Sequence, residues 1–134
     1  MRPQQRSILI VDDDPEIRHA LRLLFEFESF EVLGEADDAL VAVGLARSLQ
    51  PRFIILDLMM PKMRGDEAVE LLRAVAPESR IVAFSAWLNE KPAWADAFLN
   101  KERVAEIAPL LDALLESAAE REKTASAPAI GDSP

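Results

Sequence analysis

The side chains that could do chemistry in this chain of 134 residues share one placement, at the end of a short apolar run or just after it. They are Asp12, Asp13 and Asp14, then Asp57, then Ser85 and finally Lys101. These groups are far apart in sequence. A fold that brought the ends of the apolar runs together would gather several carboxylates, one hydroxyl and one amine in a single place.

Grouped carboxylates of this kind predict a metal-assisted phosphoryl acceptor. Two or three carboxylates at one point repel one another and need a cation. Oxygen ligands without His or Cys favour Mg²⁺ over zinc, and a Mg²⁺ held by few carboxylates keeps positions open for water and phosphate. A remaining carboxylate can attack phosphorus and form an aspartyl phosphate. Lys101 would then bring positive charge to the transferred group, and Ser85 a hydroxyl hydrogen bond.

Each of these residues also has an ordinary interpretation. An Asp triplet after a strand is usually a turn with a helix cap, and Ser85 or Lys101 alone would be a loop hydroxyl or a surface charge. Asp57 is harder to explain in this way, because an Asp between an apolar strand and the sequence Leu-Met-Met-Pro has little capping to do. The combination, in order and at the ends of successive strands, favours the metal and phosphate interpretation.

The elements that must position these groups are predicted from apolar periodicity. Three apolar runs without polar alternation indicate strands buried on both faces, as in a parallel sheet: Ile8–Val11, Phe53–Leu56 and Ile81–Phe84. Weaker strands are predicted at Phe30–Glu35 and Ala95–Leu99. Alternation of strands with helices predicts an α/β open sheet with right-handed crossovers, in which functional groups collect outside the C-terminal ends of the strands.

Four helices are predicted. The first carries an apolar stripe over residues 17–25, with Pro15 in its first turn and an aspartate as its cap. The others are Asp38–Leu49, Gly65–Ala76 and Val104–Glu120. Pro109 lies inside the last, where it either kinks the helix or marks a second start after a short first turn. The tail 121–134, rich in Ala, Ser, Pro and charge, is predicted to be disordered. We therefore predict one domain over residues 1–120.

Composition excludes several classes of function. A formal net charge of −9 argues against binding nucleic acid through a broad basic surface. The absence of cysteine excludes a disulfide framework, a thiolate metal site and a cysteine nucleophile. The first apolar run is too short for a signal peptide or a membrane span. We expect a soluble, cytoplasmic protein that binds neither nucleic acid nor membrane.

Four segments resemble the receiver domains of response regulators in two-component signalling: Ile8-Leu-Ile-Val-Asp-Asp-Asp-Pro, Ile54-Ile-Leu-Asp-Leu-Met-Met-Pro, Val82-Ala-Phe-Ser-Ala and Ala95-Asp-Ala-Phe-Leu-Asn-Lys. The resemblance runs from about Ser7 to Glu120, with the motifs in the family's order. It implies a flavodoxin-like, three-layer fold with a five-stranded parallel sheet in the order 2-1-3-4-5. It also implies a histidine kinase or histidine phosphotransfer protein as phosphodonor, and Mg²⁺ as cofactor.

The resemblance also implies how the acidic residues divide their work. Asp57 matches the phospho-acceptor. Asp13 matches the direct metal ligand, and Asp12 assists, often through water. The backbone carbonyl of Met59 matches the third protein ligand, a position where any side chain can stand.

The remaining roles concern the transferred phosphate and the response to it. Ser85 matches the hydroxyl switch residue and Lys101 the phosphate-binding lysine. Phe98 matches the aromatic side chain that reorients with Ser85. Trp87, two residues after the hydroxyl, is expected at the mouth of the site, where it would report the change.

The chain departs from the family's pattern between the hydroxyl and the lysine. Only Trp87–Trp94 remain for the family's fourth helix, and Pro92 opposes a helix interior. Trp94 stands where the family often places a glycine in a left-handed turn, a conformation that tryptophan resists. The fourth helix is therefore predicted to be shortened or absent. Glu102 stands where the family commonly has a proline preceded by a cis peptide bond. Because the residue here is Glu, we expect the peptide bond before it to be trans.

Three functions compete on this sequence. The main hypothesis is a stand-alone receiver that is no enzyme beyond its own phosphorylation and phospho-aspartate hydrolysis, and that signals through altered protein contacts. The alternative is a pseudo-receiver, a docking module of the same fold that phosphorylation does not regulate. A Mg²⁺-dependent phosphohydrolase with Asp57 as nucleophile would need a second acid–base Asp close behind it, and Leu58-Met59 offers none.

Overall fold

A five-stranded parallel sheet organises the computed structural model, which describes residues 5–60 and 65–125. The strands are β1 (Ser7–Val11), β2 (Glu31–Ala36), β3 (Phe53–Leu56), β4 (Arg80–Ser85) and β5 (Ala97–Asn100). Neighbouring strands pair in parallel, in the order β2-β1-β3-β4-β5. The predicted fold class is confirmed.

The central strands are buried because their side chains are apolar on both faces. Every residue of β1 and β3 is buried, as expected for a parallel sheet covered by helices. In the register of the sheet Val11 lies beside Leu56, and the Asp57 amide donates a hydrogen bond of 2.9 Å to the Val11 carbonyl. Asp12 and Asp57 therefore leave the sheet side by side.

Three helices connect the first four strands: α1 (Pro15–Phe27), α2 (Ala39–Leu49) and α3 (Gly65–Val75). The Asp14 carboxylate caps α1 by accepting a hydrogen bond of 2.9 Å from the Glu16 amide, and Pro15 occupies the first turn. Asp38 caps α2 in the same way, through the Val41 amide at 2.9 Å. The predicted starts of α1 and α2 are confirmed to within two residues.

The link from β4 to β5 contains no helix over its residues 86–96, all of which the structure describes. The predicted loss of the family's fourth helix is confirmed. Trp94 is not among the described residues with a left-handed backbone, as expected for tryptophan. The described peptide bonds are trans, including the bond before Glu102, which was also expected.

Asp96 holds the end of this link in place of a helix. Its Oδ2 accepts hydrogen bonds from the Ile81 amide at 2.8 Å and from Arg73 Nη1 at 3.1 Å. Arg73 Nη2 donates to the Trp94 carbonyl at 2.7 Å. The Trp94 side chain packs against the cluster of buried residues that includes Leu72. The link is thus tied to β4 and α3 at its C-terminal end.

The last helix, α4 (Ile107–Ala125), follows a 3₁₀ segment over Lys101–Glu106. The chain divides after Val104 into two compact units, the first containing the sheet and the second containing α4. Pro109 lies in the first turn of α4, so it marks a second start. Among the described residues, neither α4 nor any other helix combines the length and the apolar character that crossing a membrane requires.

The predicted end of this last helix at Glu120 was wrong. The helix continues to Ala125, because residues 121–125 include Arg, Glu, Lys and Ala, which favour helix strongly enough to extend it. The first five residues of the tail predicted to be disordered are therefore helical. The rest, 126–134, lie outside the described residues, and the single domain over residues 1–120 stays a prediction.

Asp96→Ala should lower the free energy of unfolding by about 1–3 kcal/mol, because it leaves the buried Ile81 amide without its acceptor. Urea denaturation followed by circular dichroism measures the change. Glu90→Ala, which removes an exposed carboxylate from the same link, is the matched control and should change the stability by less than about 0.5 kcal/mol. Equal losses in the two variants would contradict the anchoring role of Asp96.

Candidate functional site

The turn after β1 fixes Asp12 beneath the surface. Its side chain is only 2% exposed. The Asp12 amide donates to the Ala36 carbonyl at 3.0 Å, and its Oδ1 accepts from the Asp14 amide at 2.9 Å. Its Oδ2 accepts from Lys101 Nζ at 2.8 Å. Both oxygens of this carboxylate are therefore held by partners from different parts of the chain.

Asp57 lies at the end of β3, next to Asp12, and is also buried, at 4% exposure. Its Oδ1 accepts a hydrogen bond of 3.2 Å from the Met59 amide and lies 3.4 Å from Lys101 Nζ. One carboxylate oxygen each of Asp12, Asp13 and Asp57 lies within 4.8 Å of the other two. The fold thus brings together the acidic residues that the sequence places 45 positions apart.

Lys101 is the cation of this cluster. It follows β5 directly, and its Nζ forms ion pairs with both Asp12 and Asp57. The same Nζ lies 5.7 Å from the centre of the buried Phe84 ring, which gives it a weak additional attraction. One lysine faces three carboxylates, so the cluster retains a net negative charge.

The electrostatics of the cluster show in two pKa values. Burial and the neighbouring Asp12 charge raise the pKa of Asp57 above its ordinary value of 3.8, against the opposing effects of Lys101 and the Met59 amide. Burial alone would lower the pKa of Lys101. Its hydrogen bond to Asp12 and the charges of Asp12 and Asp57 outweigh that effect, so the pKa of Lys101 is raised and the amine stays protonated.

The cluster opens into an acidic cavity of about 420 Å³. Its walls are formed by the turn after β1, the end of β3, the start of the β4–β5 link and the lysine: Asp12, Asp13, Asp14, Pro15, Asp57, Met59, Ala86, Trp87 and Lys101. The donor set consists of carboxylate oxygens, and Met59 lines the same cavity. Such a set fits a small, hard divalent cation, and the spacing of the three carboxylates allows one ion to touch all of them.

Ser85 lies next to this cavity and does not line it. Its side chain is fully buried, and its hydroxyl accepts a hydrogen bond of 3.1 Å from the Trp87 amide. It lines a second, more apolar cavity of about 220 Å³ beside the β4–β5 link, together with Leu58, Met59, Trp87, Leu88, Pro92 and Trp94. The predicted hydroxyl is therefore close to the acidic cluster, with its oxygen engaged by the link.

Met59 and Trp87 stand between the two cavities and line both of them. Both are exposed, Trp87 by 75% of its surface, as expected for a residue at the mouth of the site. Phe98 is half-buried on β5 and lines a different pocket with Asn89 and Glu102. Phe98 therefore does not line the acidic cavity, whereas Trp87 does.

The sequence also matches a known protein family, in agreement with the order of the motifs and the geometry of the acidic cluster. Residues 8–102, well over half of the chain, match the response regulator receiver domain. The chain belongs to the response regulator receiver family. Members of this family are signalling domains, and this receiver has the family's sheet order together with its acidic cluster.

Curated relatives of this receiver include longer regulators. It is 37% identical over 120 residues to the nitrate/nitrite response regulator protein NarL of Escherichia coli K12, covering 84% of this chain and 55% of that protein. It is 43% identical over 68 residues to the transcriptional regulatory protein YdfI of Bacillus subtilis, covering 50% of this chain and 32% of that protein. The chain spans about half or less of the length of these relatives.

Among solved structures, this receiver is similar to a two-component response regulator of the LuxR family from Aurantimonas sp. SI85-9A1. The two are 29% identical, with a TM-score of 0.73, over 83% of this chain and 85% of the other. The receiver fold is thus shared over most of both chains.

Two residues that make contacts around the site were missed by the reasoning from sequence. Arg18 of α1 donates a hydrogen bond from Nη1 to the Asp12 carbonyl at 2.7 Å. Its position four residues after the cap Asp14, on the same side of the helix, was the available signal. Asn100 donates from Nδ2 to the Leu88 carbonyl at 3.2 Å, which ties the β4–β5 link to the end of β5, just before Lys101.

Asp57→Asn should stabilise the metal-free protein at pH 7. A carboxyl whose pKa is raised on folding contributes stability that is present below its ordinary pKa of 3.8 and is lost as the pH rises through the raised value. The neutral amide does not suffer this loss. The advantage of the variant, measured by urea denaturation in EDTA, should therefore shrink as the pH falls towards 3.8.

Asp37→Asn, at an exposed carboxylate, is the control and should leave the dependence of stability on pH nearly unchanged. If the Asp57→Asn and Asp37→Asn proteins show the same pH dependence as the wild type, the buried Asp57 carboxylate does not carry this electrostatic penalty.

Proposed function

We propose that this receiver accepts a phosphoryl group on Asp57 in a reaction that depends on Mg²⁺. The observation that carries the proposal is the convergence of three carboxylates and one lysine at the C-terminal edge of the sheet. Asp57 is the central member: it is buried, it faces the acidic cavity, and Lys101 Nζ lies 3.4 Å from its Oδ1.

The chemistry assigned to each residue follows from its position. An Oδ of Asp57 attacks phosphorus, the bond from phosphorus to the donor's nitrogen breaks, and that nitrogen keeps the electron pair and takes up a proton. Lys101 neutralises the charge of the phosphoryl oxygens. It is protonated and lies beside Asp57 before the phosphoryl group arrives. Ser85 supplies a hydrogen bond once its hydroxyl turns from the Trp87 amide.

The metal residues proposed here are Asp12, Asp13, Asp57 and the Met59 carbonyl. A bound Mg²⁺ would supply charge stabilisation for the phosphoryl oxygens. Asp13 is the exposed member of the cluster and lines the cavity, so a hydrated ion would reach it from solvent. Asp12 is engaged with Lys101, so its share in holding the ion is through water or through a shift of the lysine.

The proposed partner is a histidine kinase or a histidine phosphotransfer protein, because membership of the receiver family implies such a partner and the phosphorus–nitrogen bond of phosphohistidine is reactive enough to phosphorylate a carboxylate. The relatives NarL and YdfI are named as regulators, and YdfI as a transcriptional one. Transfer of phosphate to this chain would then be read by a protein that contacts the surface around the site.

The alternative is a docking module of the same fold without phosphorylation. The observation in its favour is the missing helix between β4 and β5, because the family places a signalling surface there. The complete acidic cluster favours the phosphorylated receiver, since a docking module gains nothing from three carboxylates that repel one another.

Incubation with a small phosphodonor and Mg²⁺ should add one phosphoryl mass to the wild-type protein, as measured by intact mass spectrometry. The reaction should disappear in EDTA, because the carboxylates then lack their cation, and in Asp57→Asn, because the nucleophile is removed. Asp37→Asn serves as the control that keeps the acceptor and should be labelled like the wild type. Labelling of Asp57→Asn to the same extent as the wild type would contradict the assignment of Asp57 as the phosphoryl acceptor.

Trp87 should report phosphorylation through the β4–β5 link. Withdrawal of the Ser85 hydroxyl towards the phosphate would break its 3.1 Å hydrogen bond with the Trp87 amide, and segments with few buried contacts open at low free energy. The fluorescence of Trp87, in a Trp94→Phe background, should change on addition of beryllium fluoride with Mg²⁺. Amide exchange over residues 87–101 should change with it.

The control for this measurement is the Ser85→Ala variant, in which the hydroxyl contact is already absent and the change should be smaller. Unchanged Trp87 fluorescence in the Trp94→Phe protein, together with unchanged exchange in the wild type, would favour the docking module instead.

A further inference from the structure

The orientation of the acidic turn depends on contacts made by its main chain as well as by its carboxylates. The Asp12 amide is fixed by the Ala36 carbonyl at 3.0 Å, and the Asp14 amide is fixed by Asp12 Oδ1 at 2.9 Å. Between them lies the peptide that joins Asp12 to Asp13. The direction of that peptide sets where the exposed Asp13 carboxylate points.

Arg18 of α1 binds this peptide through a hydrogen bond. Its Nη1 donates a hydrogen bond of 2.7 Å to the Asp12 carbonyl, the oxygen of the same peptide. The Arg18 side chain is only 19% exposed, so water competes weakly for this contact. Because a peptide unit is planar, a carbonyl fixed at one end also fixes the amide of Asp13 at the other.

Glu35 of β2 holds Arg18 in this position. Glu35 Oε1 accepts from Arg18 Nε at 3.2 Å, and Glu35 Oε2 accepts from Arg22 Nε at 2.5 Å. Glu35 thereby neutralises part of the guanidinium charge and keeps it facing β2. Without this partner the guanidinium would be drawn to the carboxylates of the cluster, where it would compete with a cation.

We infer that Arg18 is a positioning residue for the metal site, acting through the Asp12 carbonyl on the Asp13 carboxylate. The inference rests on the proposed function, because it concerns the same Mg²⁺. Arg18 does not line the acidic cavity. It holds the turn in the geometry that the ion requires before the ion arrives, so that binding does not have to order it.

The positioning role and a purely electrostatic role predict opposite results. Arg18→Met removes a positive charge near the cluster, which by charge alone would tighten the binding of Mg²⁺. Loss of the hydrogen bond to the Asp12 carbonyl would weaken it instead, and removal of a group that orients metal ligands typically lowers metal affinity by about tenfold or more. The sign of the change therefore separates the two roles.

Arg22→Met is the matched control. It removes the same charge from the same helix, and it breaks the other half of the Glu35 pair, but Arg22 does not donate to Asp12. Arg18→Lys keeps the charge and one donor, and should recover part of the affinity. Circular dichroism and thermal melting in EDTA establish that each variant is folded.

The measurement is the Kd of Mg²⁺ for the whole chain, by titration calorimetry, together with amide exchange at Asp14 in EDTA. We expect Arg18→Met to raise the Kd about tenfold and to speed exchange of the Asp14 amide, which donates to Asp12 Oδ1 at 2.9 Å, with Arg22→Met close to the wild type. The rate of phosphorylation by a small phosphodonor should return to nearly the wild-type value in Arg18→Met at saturating Mg²⁺, because only the affinity depends on the turn.

Three results would count against the inference. Tighter or unchanged Mg²⁺ binding in Arg18→Met, in a wild type that does bind the ion, overturns it and leaves the proposed function standing. Equal weakening in Arg18→Met and Arg22→Met overturns it as well, because Glu35 and not the carbonyl contact would then be responsible. A wild type that binds no Mg²⁺ overturns the proposed function, and the inference with it.

Discussion

The burial of Asp12 and Asp57 side by side, with Lys101 as their shared cation, is the constraint on which the site depends. Two carboxylates at the edge of an apolar sheet repel each other and lose hydration, and the raised pKa of Asp57 records both effects. Lys101 offsets part of this penalty through ion pairs at 2.8 and 3.4 Å. The remaining negative charge is what would attract the Mg²⁺ of the proposed function, so the repulsion within the cluster and that function have one origin.

The surrounding structure keeps these charges in place through main-chain contacts. The Asp12 and Asp57 amides are tied to the neighbouring strands by the Ala36 and Val11 carbonyls. The carboxylates remain close together because they follow β1 and β3, two central strands that are buried throughout and paired with each other. Arg18 adds a contact from α1 to the turn, so the acidic edge is supported from the helix as well as from the sheet.

The side of the site towards β5 is built differently. A link without a helix joins β4 to β5, and its end is anchored by Asp96 and Arg73. Its beginning carries Trp87, which is exposed at the rim of the acidic cavity and is joined to the buried Ser85 hydroxyl by its amide. Because the link is anchored at its C-terminal end and exposed at its N-terminal end, a movement caused by phosphorylation would be confined to the residues nearest Asp57. A rigid helix would carry such a movement further along the surface.

The sequence alone determined the capped starts of α1 and α2 and the members of the acidic cluster, because these follow from apolar periodicity, local capping and motifs in a fixed order. The strand order and the missing helix were predicted from the resemblance to receiver domains, and the structure has both. The sequence did not determine where the last helix ends, since no Gly or Pro marks the difference between Glu120 and Ala125. Only the tertiary structure decided that Arg18 faces the Asp12 carbonyl, that Asp96 meets Arg73, and that Ser85 lines the neighbouring cavity. Those contacts join residues from separate elements, and their geometry depends on how the helices lie on the sheet, which no local pattern encodes.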